Sequence, residues 1–287
     1  MNIKTLKLGR QDFPEALQQM ETPPKQLYVA GDNFGLILSR PRVAIVGSRN
    51  MSAYGKRVTR KIASDLAEQG IVIISGLALG VDACAHRATL DVGGLALVVL
   101  PSPLDNIVPA TNRRLAQEIL DSGGVIVSEY GPGVPPQKQN FIARNRLVTG
   151  LADALLITEA GAKSGTIHTA NFALKQGIDV LAVPGDIHSP GSAGTNNIIR
   201  AGAGLVTSYH DVINVLGLED HKTTAREVRG RNQNEQTVLD LLMQGTVEGE
   251  ELHSASELST ADFNRVLTML ELGGKIKPLG GNKWSIY

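Results

Sequence analysis

The 287-residue chain has few of the residues from which disulfides, membrane spans and metal sites are built. Its one cysteine, Cys84, cannot form a disulfide within the chain, and the helical pattern around it favours a packing role over a reactive thiol. No apolar run approaches the roughly 18 residues of a membrane span, and the first residues lack the apolar stretch of a signal peptide. These absences predict a cytoplasmic protein that does not associate with membranes.

Net charge is also absent, because 28 basic residues balance 28 acidic ones. A neutral average normally argues against a nucleic-acid partner. The average hides an asymmetry: residues 1–218 hold 20 basic and 17 acidic side chains (+3), whereas residues 232–287 hold 4 and 8 (−4). Six cations from Arg42 to Lys61 also precede the next acid, Asp65. An anionic ligand would therefore bind the N-terminal part, although a solvated helix face explains these cations equally well.

Apolar runs alternate with helical patterns between residues 41 and 218. The runs are continuously apolar, which is typical of strands in a parallel sheet that helices cover on both faces. The predicted strands are Val43–Ser48, Ile71–Ser75, Leu95–Leu100, Val125–Glu129, Ala154–Thr158, Val180–Pro184 and Leu205–Ser208. The main predicted helices are Ala53–Gln69, Val81–Leu90, Asn112–Asp121, Phe141–Leu151 and Thr166–Gln176. Residues 1–40 are predicted to be an irregular lead-in segment with a short amphipathic piece around Phe13–Met20.

A second unit is predicted at the C-terminal end. The polar stretch 219–234 is typical of a linker, and residues 235–287 show three helical patterns and then two short strands. Three helices and a hairpin in about 55 residues suggest a winged helix. Its candidate recognition helix, Ala261–Leu272, has one basic residue, Arg265, against two acidic ones. This charge favours a protein contact or a regulatory role over duplex binding.

Several turns that follow predicted strands suit an anion. The C-terminal ends of parallel strands share one edge of the sheet, where helix N-termini meet in a crevice. Gly47 leaves the backbone open to a ligand, Ser48 offers a hydroxyl, and Arg49 offers a planar fork suited to phosphate. Ser52 is a plausible N-cap of the next helix. Two further turns of this kind are Ser75-Gly76 and Ser164-Gly165-Thr166. The second provides backbone N–H groups at a helix start that could bind an anion. The alternative is that Ser164 and Thr166 only cap the helix.

The segment before the helix at Phe141 combines an aromatic ring with cations. Lys138 precedes the ring, and Arg144 and Arg146 follow it. Single-stranded nucleic acid requires this combination, because cations bind the phosphates and a flat face stacks on the bases. The alternative is that Phe141 packs into the core as the first apolar residue of its helix.

Motifs of other nucleotide-binding proteins are not matched. Residues 47–52 do not fit G-x-G-x-x-G, and the lysine of Ala162–Thr166 precedes the final glycine, which excludes a Walker A loop. The six histidines are scattered, and His86 lies one turn after Asp82, as expected of a pair on one helix face. The sequence therefore predicts no catalytic residue, no metal and no cofactor.

Six motifs occur in an order and spacing that can be compared with a known family. They are Gly47-Ser48-Arg49-x-x-Ser52-x-Tyr54-Gly55, Ser75-Gly76-Leu77-Ala78-x-Gly80-Val81-Asp82-x-x-Ala85-His86, Phe141-x-x-Arg144-Asn145-Arg146, Ser164-Gly165-Thr166, Ala182-Val183-Pro184-Gly185 and Gly194-Thr195-Asn196. Together they resemble the DNA-processing protein A (DprA/Smf) family. The chain departs from the family pattern at Pro103-Leu104-Asp105, at Val108-Pro109 and at Gly131.

The resemblance implies a fold and a function. The fold is an extended Rossmann-like parallel sheet over residues 41–218 with a small winged-helix domain over residues 235–287. The implied protein binds and protects incoming single-stranded DNA, forms a homodimer, and loads a RecA-type recombinase in natural transformation and recombination. The implied DNA-binding residues are Gly47, Ser48, Arg49, Ser75, Gly76, Asn112, Lys138, Phe141, Arg144, Asn145, Ser164, Gly165 and Thr166.

The rival hypothesis is an enzyme of the same fold superfamily that cleaves nucleoside monophosphates. Such enzymes resemble the chain at Gly47-Ser48-Arg49, but they require a glutamate after the Gly-Thr of a later turn. Here the position two residues beyond Thr166 is His168, and Glu159 lies before the turn. Without that carboxylate the obvious general base is missing, so we expect a binding protein without catalysis.

Overall fold

The computed structural model describes residues 3–219 and 230–286. The strands are β1 (Ile3–Lys7), β2 (Gln26–Ala30), β3 (Arg42–Val46), β4 (Val72–Ser75), β5 (Ala96–Leu100), β6 (Val125–Ser128), β7 (Ala154–Ile157), β8 (Asp179–Ala182), β9 (Gly204–Leu205), β10 (Ile276–Gly280) and β11 (Lys283–Ile286). The α-helices are α1 (Glu15–Gln18), α2 (Phe34–Leu38), α3 (Ala53–Glu68), α4 (Val81–Asp91), α5 (Arg113–Asp121), α6 (Lys138–Gly150), α7 (Thr166–Lys175), α8 (Ala193–Arg200), α9 (Tyr209–Val215), α10 (Gln233–Met243), α11 (Gly249–Ser256) and α12 (Thr260–Leu272). None of the helices within these ranges has the length and apolar character needed to cross a membrane.

Nine strands form one sheet in the order β1-β2-β6-β5-β4-β3-β7-β8-β9. The seven strands from β3 to β9 are parallel to one another, and each overlaps a predicted strand. Side chains alternate between the two faces along each strand, and helices cover both faces. Val43 and Ile45 pack in a core with α3, α4 and α9. Ala44 and Val46 pack on the other face, in a core with α6 and α7. This arrangement confirms the predicted parallel α/β fold.

Residues 1–40 differ from the predicted irregular segment. Strand β2 pairs antiparallel with β6, and β1 pairs antiparallel with β2, so the segment adds two strands to the sheet. Leu27 and Val29 of β2 are buried in the same core as Phe13 and Leu17 of the predicted amphipathic piece. An antiparallel addition needs no crossover helix, and therefore the strand-and-helix alternation used in the prediction does not reveal it.

The order of the strands reverses beside β3. From β3 the chain proceeds through β4 and β5 to β6 on one side, and it then returns to form β7, β8 and β9 on the other side. In open α/β sheets such a reversal leaves a crevice beyond the carboxyl ends of the two central strands, because their following helices pack on opposite faces. The fold therefore predicts a ligand site between the turns after β3 and β7.

The chain divides into two compact units at residues 220 and 221. In the C-terminal unit, α10, α11 and α12 enclose a core that includes Val238, Leu252, Phe263 and Leu270, and β10 and β11 form a hairpin. This is the predicted winged-helix arrangement. Within the predicted linker 219–234, residues 220–229 lie outside the described part of the chain, and α10 begins at Gln233.

Candidate functional site

A crevice of about 630 Å³ lies at the carboxyl edge of the sheet, where β3 and β7 end. Its walls are the turns after these two strands, the start of α4 and the first half of α6. Nine of the thirteen predicted DNA-binding residues line it: Gly47, Ser48, Arg49, Phe141, Arg144, Asn145, Ser164, Gly165 and Thr166. The fold thus brings together motifs that lie more than 100 residues apart in the sequence.

The remaining four predicted residues lie outside the crevice lining. Lys138 is exposed at the first position of α6. Ser75 is fully buried, and its hydroxyl donates to the carbonyl oxygen of Ile45 at 2.6 Å. Gly76 belongs to the turn after β4, which supports the crevice from behind, and Asn112, in the short 3-10 helix before α5, bonds to that turn.

The turn after β4 has an uncommon backbone conformation that two side chains hold in place. Leu77 is fully buried and has a φ of 59°, in the left-handed region that non-glycine residues rarely adopt. The carboxylate of Asp82 accepts hydrogen bonds from the N–H of Gly76 at 3.1 Å and of Ala78 at 3.3 Å. The amide of Asn112 donates to the carbonyl oxygens of Leu77 and Ala78 at 2.8 and 3.3 Å. Asn112 therefore positions this turn within the fold.

The turn after β3 is fixed from behind by the neighbouring strand and helix. The N–H of Ser48 donates to the carbonyl oxygen of Glu159 at 2.8 Å, and the N–H of Val81 donates to the carbonyl oxygen of Ser48 at 3.1 Å. A Cβ atom on Gly47 would lie 2.7 Å from both the Glu159 carbonyl oxygen and a methyl group of Val81. Packing inside the protein therefore requires glycine here, and ligand access to this backbone remains a prediction from the sequence.

The carboxylate of Glu159 lies under the start of α3 and is 3% exposed. It accepts hydrogen bonds from the N–H of Ser52 at 2.9 and 3.2 Å and from the Ser52 hydroxyl. The same hydroxyl accepts a bond from the N–H of Gly55 at 3.0 Å, so Ser52 is the N-cap of α3, as predicted. A negative charge at a helix N-terminus is favourable, and here the protein supplies that charge itself.

Arg144 forms the floor of the crevice and is 3% exposed. Its Nη1 donates to the carbonyl oxygens of Gly76, at 2.8 Å, and Val99, while its Nε donates to Oδ1 of Asn145 at 3.2 Å. Its Nη2 has no hydrogen-bond acceptor in the described ranges. The guanidinium packs so closely on Gly76 that any Cβ there would overlap it. A buried guanidinium with an uncommitted donor suits an anion.

Burial shifts the pKa values of three groups at the crevice floor and beneath it: Arg144, Asp82 and His86. It lowers the pKa of Arg144 to about 10, an effect that the charge of Asp82 partly offsets and the charge of Arg49 reinforces. Because that pKa remains well above neutral pH, the guanidinium keeps its charge. Burial also raises the pKa of the Asp82 carboxyl, against the lowering effect of Arg144. On α4, one turn beyond Asp82, burial lowers the pKa of His86 to about 4.

Phe141 lines the crevice and belongs to none of the core clusters in the described residues. The guanidinium carbon of Arg49 lies 5.3 Å from the centre of the Phe141 ring, within the range of a cation–π contact. The aromatic face and the cation therefore stand together at the entrance, and Phe141 is not the core residue of the alternative interpretation.

The turn between β7 and α7 contributes polar groups to the crevice. The hydroxyl of Ser164 accepts a bond from the N–H of Thr166 at 3.2 Å and donates to its hydroxyl at 2.9 Å, so these two residues bond to each other at the start of α7, whose N-cap is Gly165. The N–H groups of Lys163 and Gly165 have no acceptor within the described part of the chain. Asn145, on α6, donates to the hydroxyl of Thr169 on α7 at 2.9 Å and thereby joins the two helices.

Two lining residues, Ile142 and Lys163, were absent from the sequence-based site. In the sequence Lys163 belongs to the turn that fails as a Walker A loop and Ile142 to a helical pattern, and neither was assigned to the DNA-binding residues. The lining now includes three cations against one carboxylate, that of the buried Asp82. In the described ranges no group of three His, Cys, Asp or Glu residues could hold a metal ion. The crevice is therefore suited to an anionic ligand.

Comparison with known proteins finds relatives that align with most of the chain. A family described as DNA recombination-mediator protein A matches residues 4–217, and the DprA winged helix domain matches residues 222–282. The chain is 41% identical to Protein Smf of Escherichia coli over 204 residues, which cover 71% of this chain and 54% of that protein. It is 40% identical to DNA processing protein DprA of Streptococcus pneumoniae over 201 residues, 70% of each chain. The chain thus aligns with about half the length of the E. coli relative.

Two solved structures share the fold at substantial sequence identity. The X-ray structure of DNA processing protein A from S. pneumoniae has a TM-score of 0.69 and 37% identity, and the match covers 74% of each chain. DNA processing protein A from Helicobacter pylori, whose structure is described with a single-stranded DNA binding mode, has a TM-score of 0.67 and 36% identity; the match covers 75% of this chain and 95% of that one.

Proposed function

The chain belongs to the DNA recombination-mediator protein A (DprA/Smf) family, and from this premise we propose that it binds single-stranded DNA in the crevice between β3 and β7. Membership confirms the resemblance drawn from the sequence motifs and gives the chain a role in DNA processing. The observation that carries the proposal is the buried guanidinium of Arg144, which keeps a free Nη2 donor at the floor of a cationic crevice.

A single strand matches this crevice better than a duplex for two reasons. Arg49, Arg144 and Lys163 provide charges for successive phosphates, and binding through such contacts weakens as salt rises. Phe141 lines the crevice with the Arg49 guanidinium over its ring, and both aromatic rings and guanidinium planes stack on unpaired bases. Base pairs of a duplex already stack on one another, so they offer no free face to this ring.

Fluorescence anisotropy with a labelled oligothymidylate and with a duplex of equal length tests the proposal. We expect the single strand to bind more tightly, and its affinity to fall steeply between about 50 and 200 mM salt. Equal affinity for the duplex, or an affinity that salt does not change, would contradict it.

We infer that the protein also acts on a RecA-type recombinase. The support is membership in a family described as recombination mediators. The single-stranded-DNA-dependent ATPase of a RecA-type recombinase, measured on strands already covered by a single-strand binding protein, should start sooner when this protein is added. An unchanged lag at every protein concentration would refute this part of the proposal.

Self-association has support from a second groove. Helices α7 and α8 and the edge strand β9 line a groove of about 630 Å³, in which Leu174 is 65% exposed. Strand β9 pairs only with β8 among the described strands, so its outer edge can accept another chain. We expect light scattering to show a homodimer that Leu174→Glu converts to a monomer. A monomeric wild-type protein at micromolar concentration would contradict this expectation.

The proposal includes no catalysis. In the rival hypothesis the carboxylate of Glu159 would act on a ribose, but that carboxylate accepts hydrogen bonds from Ser52 beneath α3. It is 3% exposed and does not line the crevice. These contacts support a binding role for the crevice.

A further inference from the structure

We propose that α3 carries a second DNA-binding surface outside the crevice, where Lys56 and Arg57 bind phosphates of the part of a single strand that extends beyond the crevice. The inference rests on the proposed function, because it assigns a further surface to the same ligand. It predicts that the protein contacts a longer stretch of DNA than the crevice alone can hold.

The start of α3 lies next to the crevice. Arg49 and Asn50 line the crevice, and Ser52 caps α3 two residues later. Lys56 and Arg57 are exposed and begin about 6 Å along the helix axis from that cap. No acidic residue occurs between Arg49 and Arg57 in the sequence. A strand that leaves the crevice on this side therefore meets two further cations within about one helical turn.

Lys56 and Arg57 are free to bind a ligand, unlike the cations that follow them on the helix. Neither has an ion-pair partner among the residues that the structure describes. By contrast, Arg60 pairs with Asp91 of α4 at 2.7 Å, and Lys61 pairs with an aspartate of its own helix at 2.6 Å. The uncommitted charge of this face is thus concentrated at the end of α3 that adjoins the crevice.

The charge pattern of α3 is the reverse of the pattern that stabilises a helix. The helix has no acidic residue in its first turn and no basic residue in its last turn. Cations near a helix N-terminus oppose the helix dipole. Lys56 and Arg57 each have another cation four residues later, a spacing at which like charges repel.

A bound polyanion offsets both of these unfavourable terms. A helix face that only has to remain solvated would be more stable with acids at its start and with opposite charges four residues apart. The pattern therefore favours a ligand over the alternative of a solvated face. Phosphates of the strand that already occupies the adjacent crevice are the anions closest to these cations.

Strand length separates this surface from the crevice. Binding is measured by anisotropy at several salt concentrations for oligothymidylates of about 6 and about 20 nucleotides, lengths near the lower end and beyond the upper end of typical single-strand sites. The double variant Lys56→Ala with Arg57→Ala should bind the long strand about tenfold more weakly. Its slope of log affinity against log salt should decrease by about 1.4, the value for two phosphates on a single strand. The short strand, which only fills the crevice, should keep its affinity and slope.

Two control variants test whether position and charge both matter. Lys4→Ala with Lys7→Ala removes two exposed lysines from β1, at the outer edge of the sheet, and changes the net charge by the same amount. It should leave both strands unaffected. The exchange Lys56→Arg with Arg57→Lys keeps both charges and should keep the affinity of the long strand. In thermal unfolding the alanine variant of α3 should be at least as stable as the wild-type protein, because it removes repulsion within the helix.

The outcomes distinguish failure of this surface from failure of the proposed function. The second surface is overturned if the α3 alanine variant weakens both strands equally, if it leaves the long-strand slope unchanged, or if the β1 variant causes the same loss. A loss confined to duplex DNA would overturn it as well. In each case single-strand binding by the wild-type protein still stands. If the wild-type protein binds duplex as tightly as oligothymidylate, the proposed function fails first, and the second surface fails with it.

Discussion

His86 should make the stability of the N-terminal unit depend on pH in the mildly acidic range. Its ring is fully buried on α4, and burial lowers its pKa to about 4, against a smaller raising effect of the Ser75 backbone. An unfolded histidine has a pKa near 6.5. Between these two values the unfolded chain binds a proton that the folded chain does not, so stability increases with pH. The contribution is complete above pH 6.5 and is lost as the pH falls toward 4.

The size of the effect follows from the two pKa values. A pKa unit corresponds to about 1.4 kcal/mol, so the full difference of about 2.5 units is worth about 3 kcal/mol. Relative to pH 7.5, the loss should be about 1 kcal/mol at pH 5.5 and roughly 2 to 3 kcal/mol at pH 4.5. The variant His86→Leu has no titrating group there and should lose this dependence. Asp82, whose pKa is raised, acts with the opposite sign, but it is present in both proteins.

Urea unfolding at a series of pH values, followed by far-ultraviolet circular dichroism, measures the difference between the two proteins. The single tryptophan, Trp284, lies on β11 in the C-terminal unit, and therefore its fluorescence monitors a transition that His86→Leu should not change. If the free energies of wild-type and variant proteins remain parallel from pH 7.5 to 4.5, the reasoning is refuted. A His86 imidazole resonance that titrates near pH 6.5 in the folded wild-type protein would refute it as well.

Arg49→Ala and Lys138→Ala should each weaken single-strand binding and reduce the slope of log affinity against log salt. Neither substitution should unfold the protein, because both cations lie at exposed positions. Wild-type affinity in both folded variants would show that the site is misplaced. Removal of residues 232–287 should leave single-strand binding largely intact, because that segment is acidic, and a folded truncated chain that binds far more weakly would contradict this. The wild-type protein should release no free base from nucleoside monophosphates in a chromatographic assay, whereas turnover that Glu159→Gln abolishes would favour the enzyme hypothesis.

Much of the fold could be predicted because it depends on local patterns. Continuous apolar runs such as Val72–Ser75 indicate burial on both faces, and each is separated from the next by a helical pattern. Strands β1 and β2 could not be predicted in this way, since they lie outside the alternation of strands and helices and β2 pairs with β6, about 100 residues away. The short helices α8 and α9 were missed for a related reason, because eight and seven residues give little periodicity.

The position of the site could be predicted from the rule that parallel strands end at one edge, but the role of each residue could not. Asn112 is predicted to contact DNA, and the structure adds a contact that the sequence does not reveal: its amide bonds to the backbone of Leu77, 35 residues away. Gly47 is predicted to leave the backbone open to a ligand; it lines the crevice, and it also accommodates Val81 and the carbonyl oxygen of Glu159. Hydrogen bonds and close contacts between distant residues leave no pattern in a single sequence. Exposed residues such as Ile142 give no signal either, because exposure depends on the neighbours that fail to cover them.

The ionisable groups beneath the crevice explain why these supporting residues belong to the site. Asp82, His86 and Arg144 are all buried, and burial shifts the pKa of each side chain in the direction that favours its neutral form. A core of apolar residues of similar volume would be at least as stable, so stability alone does not account for them. Their geometry does: Asp82 fixes the turn that contains Gly76, Gly76 leaves room for the guanidinium, and the Gly76 carbonyl oxygen accepts a bond from Nη1 of Arg144. Because these contacts hold the guanidinium while leaving Nη2 free, we expect Asp82 to affect the proposed single-strand binding through Arg144.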